Sequence, residues 1–137
     1  MKKNVLRWLL ASVLFFVIAQ VVAIGVYGGL FPNYYEGYVA FRPMSSLHFR
    51  FGLPLMGLIQ AMVISLLYAV FYKGIPGAGI LKGVVFGLLL WLMTGCGIVI
   101  TYCTTVMPFP VPCLVQTIIS MIIGGVVISA VYAKVLE

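Results

Sequence analysis

Acidic side chains are almost missing from this sequence: Glu36 and Glu137 are the only two among 137 residues. Histidine occurs once, as His48. Charged residues of both signs make up 7% of the chain, against about 25% in a soluble domain. A water-facing surface cannot be assembled from so few, so the outside of the protein must face lipid. The middle of each long apolar run is also free of Asp, Glu, Lys, Arg and His. Proton-coupled transport ordinarily relies on an ionisable group inside the bilayer. An intramembrane protease of metal or aspartyl type needs ligands or paired acids, and a bis-histidine haem site needs a second histidine. These chemistries fail on inventory, and no catalytic residue, metal site or cofactor is expected. The three cysteines form no CxxC, which argues against a thiol oxidoreductase.

What is present is apolar. Such residues make up 64% of the chain, and mean hydropathy is +1.24. A helix needs about 20 apolar residues to cross a hydrocarbon core about 30 Å thick. Four segments meet that length, at about 5–30, 51–72, 83–103 and 111–133. They lack the in–out alternation of barrel strands. The expected fold is all-α: one polytopic domain over 1–137 with four transmembrane helices. The start, Met1-Lys-Lys-Asn-Val-Leu-Arg, has the basic character of a signal peptide. The apolar run behind it outlasts the 7–15 or so residues of a signal core, so an uncleaved helix is expected.

The net charge of +6 does not point to nucleic acid, because the basic residues are spread between spans and form no stripe. They read as topology signals. With the N-terminus inside, Lys2, Lys3, Arg7, Lys73, Lys82 and Lys134 are cytoplasmic, and only Arg42 and Arg50 are outside. Both termini are therefore expected on the cytoplasmic side of the plasma (inner) membrane. Trp8, Tyr68, Tyr72 and Tyr132 are expected at the inner interface, and Tyr27, Tyr34, Tyr35, Tyr38 and Tyr102 at the outer one.

The chain also matches itself. An offset of 75 puts Val5-Leu-Arg-Trp on Ile80-Leu-Lys-Gly and Tyr27 on Tyr102. An offset of 64 puts Val63-Ile-Ser-Leu-Leu-Tyr-Ala on Val127-Ile-Ser-Ala-Val-Tyr-Ala. Two tandem parallel helix hairpins would produce this, with extra residues in the first outer loop. A shared apolar alphabet would also produce some of it.

On the third span Gly79, Gly83, Gly87, Trp91 and Gly95 recur every four residues. That spacing places them on one face, where small residues let helix backbones approach closely. The seam serves either an internal neighbour or a homo-oligomer or partner. Gln20, Gln60 and Thr94 lie at similar depth and are expected to bond one another in a midplane layer, since an amide in hydrocarbon needs a partner. A polar substrate site is the sharper alternative. Cys103 and Cys113 flank a short outer loop and form a candidate disulfide; buried thiols are the alternative. Arg42, His48 and Arg50 in the first outer loop, 31–50, are candidate contacts for a phosphate or carboxylate headgroup. Nonspecific contact with lipid phosphate is the plainer reading.

Three local patterns, Tyr38 to Arg42-Pro43, Lys82-Gly83-x3-Gly87 and Tyr102 to Pro108, make the chain resemble small uncharacterised bacterial four-helix inner-membrane proteins. The resemblance implies the fold and the membrane and carries no activity or functional residue with it. The residues point first to a non-enzymatic membrane protein, an accessory subunit or a self-associating helical module. The alternatives are a protomer of an oligomeric transporter or channel, and a protein that binds or modifies lipid headgroups through the outer loop. The expected partners are membrane lipid and a second copy or another membrane protein.

Overall fold

The computed structural model describes residues 2–34, 46–104 and 109–136. Helix α1 spans Lys2–Gly25 and continues through one π turn, Val26–Leu30. A second π turn, His48–Gly52, leads into α2, Leu53–Phe71, which closes in a 3-10 turn, Tyr72–Gly74. Helix α3 covers Gly79–Cys103 and α4 covers Val111–Leu136. No strand occurs among the described residues. Four stretches are long and apolar enough to cross a membrane: Asn4–Leu30, Arg50–Gly74, Gly79–Cys103 and Val111–Ala133. The third begins four residues before the expected 83, at Gly79.

Local chemistry sets the breaks. Pro112 sits in the first turn of α4, where a missing N–H costs no helical bond, and Pro54 follows directly on the π turn His48–Gly52. Between α2 and α3, Gly77 and Gly79 take φ values of 99° and 52°, a region that side chains with a Cβ rarely occupy. At the end of α3, Thr104 donates its hydroxyl to the carbonyls of Ile100 and Thr101 at 3.1 and 3.0 Å. Those carbonyls have fewer onward helical partners to accept from.

Contacts fix an up-down-up-down bundle. Trp8 reaches α2 at Met62, and Ser129 reaches the start of α3 at Gly79. At the opposite end the Tyr34 hydroxyl donates to the Phe109 carbonyl at 3.0 Å. Both termini therefore lie at one end, called here the termini end. Helix α4 is the hub: it packs most extensively along α3, next along α1, and little along α2. Helix α2 leans mainly on α1, and α2 and α3 share no extended backbone contact. The outward surface is apolar, with Leu6, Val21, Ile24, Val70 and Met93 all more than 60% exposed. Such a surface fits lipid as solvent.

Candidate functional site

Polar groups converge at the termini end, where all four helices meet. The Trp8 indole N–H of α1 donates to the Met62 carbonyl of α2 at 3.0 Å. One turn on, the Ser12 hydroxyl donates back to the Trp8 carbonyl at 2.7 Å, and Ser65 of α2 approaches the same carbonyl at 3.5 Å. The Tyr68 hydroxyl donates to Ser129 Oγ of α4 at 2.9 Å, and Ser129 donates onward to the Gly79 carbonyl at 2.8 Å. The Ser65 and Tyr132 hydroxyls lie 3.4 Å apart. Ser65, Tyr68, Ser129 and Tyr132 are all buried. The Tyr68 ring meets Phe86 edge-on at 5.0 Å and Tyr132 at 5.7 Å. Beside it the Lys82 ammonium sits 3.7 Å from the Tyr72 ring centre, a cation–π contact.

The partners in this network are the matched residues of the two hairpins. Ser65 and Tyr68 precede Ser129 and Tyr132 by 64 positions each, and each tyrosine faces the other hairpin's serine. Trp8 binds Met62, while Gly83 lies against Val126. Those two contacts are related by the same offsets of 75 and 64. Tyr68 and Tyr132 lie toward the termini end and are buried in the bundle, where their hydroxyls have serine partners. Such a chain of hydroxyls ends on backbone carbonyls. These bonds tie α1 to α2, α2 to α4, and α4 to the start of α3.

The glycine row divides. A Cβ on Gly83 would lie 2.6 Å from the Gly125 carbonyl oxygen and 2.7 Å from Val126 Cα. One on Gly87 would strike the Met121 carbonyl and lie 2.9 Å from Ile122 Cα. The contact at these two residues is therefore internal, between α3 and α4. Gly125 completes it from the other side, since its own Cβ would strike the Gly83 carbonyl. Gly124 beside it accommodates the Phe15 ring of α1. The Gly124-Gly125 doublet was the sequence signal for this half of the seam and was missed. Gly79 takes another role, giving the left-handed backbone that opens α3. Gly95 is buried but has ordinary van der Waals distances to Trp91 and Leu114. The Trp91 indole N–H and the Ser120 hydroxyl are buried without hydrogen-bond partners.

The midplane layer is not assembled. Thr94 donates to the Leu90 and Trp91 carbonyls of its own helix at 2.9 and 3.2 Å. A threonine in a helix can satisfy its hydroxyl locally, which a glutamine amide cannot do so compactly. Gln20 packs beside Gly57. Gln60 is exposed on α2, with no hydrogen bond among the described residues.

Cys96, Cys103 and Cys113 are free thiols, so the candidate Cys103–Cys113 bond is absent. Cys103 is exposed at the end of α3, whereas Cys113 is half-buried and hydrogen-bonded to Tyr27 of the π turn after α1. Of the first-loop candidates, Arg42 lies outside the described residues, and His48 and Arg50 are exposed in the π turn before α2. No group of three His, Cys, Asp or Glu comes together among the described residues. The chain matches no family model, no curated protein and no solved structure.

Proposed function

We propose that this chain is a non-enzymatic module of the plasma membrane that docks side-on against another transmembrane helix, as an accessory subunit or as part of a homo-oligomer. Gln60 carries the reading. It lies near the centre of the Arg50–Gly74 stretch, and its amide faces away from the bundle. Leu53, Met56 and Val63 are exposed on the same face of α2. An unpaired amide in hydrocarbon costs several kcal/mol, so a partner bearing a polar side chain at this depth would be favoured. The glycine contacts at Gly83 and Gly87 are used within the chain, which leaves α2 as the docking face. The charge distribution supports cytoplasmic termini: Arg7, Lys73 and Lys82 lie toward the termini end, and Arg50 lies at the other.

Gln60→Leu tests this. Association measured at varied protein-to-detergent ratio, or co-purification from native membrane, should weaken at least about threefold, the worth of one interhelical hydrogen bond in a membrane. Disulfide trapping through Val63→Cys, exposed on the same face with Gln60 intact, in a background without native cysteines separates the two forms, because only self-association gives a dimer of the chain. Unchanged association in Gln60→Leu would remove the docking face.

The two hairpins are further proposed to be tandem copies. The crossed Ser–Tyr pairs and the matched Trp8–Met62 and Gly83–Val126 contacts support this. The copies have diverged in packing, since α1 lies along α4 while α2 and α3 share no extended contact.

A further inference from the structure

A cleft of about 410 Å³ opens at the termini end between the start of α1, the second half of α2 and the end of α4. Trp8, Leu66, Ala69 and Tyr132 form its apolar walls, and Asn4 and Arg7 belong to its lining. The volume falls in the range of about 300–1,000 Å³ typical of ligand sites. Arg7 is three residues inside the start of the Asn4–Leu30 stretch, about 4.5 Å along the helix axis at the helical rise per residue, so it lies near the end of the apolar segment. Its side chain is half-buried. A guanidinium does not lose its proton and offers five donors in a fork suited to phosphate. The described residues contain no carboxylate to meet it, because Glu36 and Glu137 both lie outside them. The anions that a membrane presents at this depth are lipid phosphates. Apolar walls suit an acyl chain and offer a free inorganic phosphate nothing.

We infer that this cleft holds an acyl chain of one anionic phospholipid against Trp8, Leu66 and Ala69, with the phosphate at its mouth beside Arg7. The inference is independent of the docking face around Gln60, since the residues differ. The selectivity comes from charge, and the placement from the cleft. A lipid held only by the general basic surface would not depend on Arg7 more than on other lysines at that end.

Trp8 reports on the site directly. The chain has two tryptophans, so Trp91→Phe leaves Trp8 as the sole indole fluorophore. In proteoliposomes, quenching by phosphatidylglycerol with brominated acyl chains is compared with quenching by the equivalent phosphatidylcholine. The anionic lipid should bind about fivefold more tightly, the worth of one basic side chain at an anionic surface. Arg7→Gln should bring that ratio to about one, while Lys73→Gln, exposed at the same end but not lining the cleft, should leave it unchanged. Ala69→Phe, which fills the cleft, should weaken quenching by both lipids. Equal quenching by the two lipids in the parent protein overturns the inference. So does a preference that survives Arg7→Gln, one that Lys73→Gln lowers equally, or quenching that Ala69→Phe leaves intact.

Discussion

Tyr68 donates its hydroxyl hydrogen to Ser129 across the bundle at 2.9 Å. The reverse pair, Tyr132 and Ser65, is longer at 3.4 Å. The shorter contact should carry more of the stability. Tyr68→Phe should lower unfolding free energy by about 0.5–1.5 kcal/mol, and Tyr132→Phe by less. A double-mutant cycle of Tyr68→Phe with Ser129→Ala, read by denaturant unfolding in mixed micelles, should show a non-zero coupling. Additive losses would mean that the two hydroxyls do not act on each other.

Gly87 faces the α4 backbone at a distance that admits no methyl group. Backbone cannot move aside as a flexible side chain can, so Gly87→Ala must separate α3 from α4. The expected loss is about 1–3 kcal/mol, as for an overpacked core. Gly97, on the same helix, has nothing within 4 Å of its added Cβ, and Gly97→Ala should be neutral or mildly stabilising. Gly77 is no substitute control, because its φ of 99° and the nearby Leu81 would strain any side chain there. Thermal stability of the three proteins, measured at several protein concentrations, also tests the internal seam: the Gly87→Ala loss should not depend on concentration.

Gln60→Leu should leave thermal stability of the isolated protein unchanged or raised, because the amide makes no bond within the described bundle. Its effect belongs to association alone. A drop in melting temperature at high dilution would show that Gln60 serves the fold.

Cys103 is exposed at the end of α3 opposite the termini, and Cys113 is half-buried and bonded to Tyr27. In intact cells a membrane-impermeant maleimide should label Cys103 from outside, and Cys113 much more slowly. In a cysteine-free background, Lys73→Cys should react only after the cells are opened. Outside labelling at position 73 would invert the topology.

Four membrane-spanning helices were legible from composition and run length alone, because a segment that must satisfy its backbone in lipid has few alternatives to a helix. The seam at Gly83 and Gly87 was legible as a face, because a four-residue repeat keeps residues on one side whatever they touch. Which helix fills that face was not legible, since it depends on the Gly124-Gly125 doublet of α4. The depth of Gln20, Gln60 and Thr94 could be counted along each segment, yet shared depth is not shared direction. Rotation about each helix axis sent Gln60 outward and let Thr94 turn to its own backbone. The pairing of Tyr68 with Ser129 was likewise hidden inside a sequence match that showed only likeness. Tertiary packing decided it, because a buried hydroxyl must find a partner and the crossing of α2 and α4 supplies one. Sequence determined the number, length and polarity of the helices, whose physics is one-dimensional. Only the fold determined azimuth, and azimuth separates the residues that lock the bundle from those left to meet lipid or a partner.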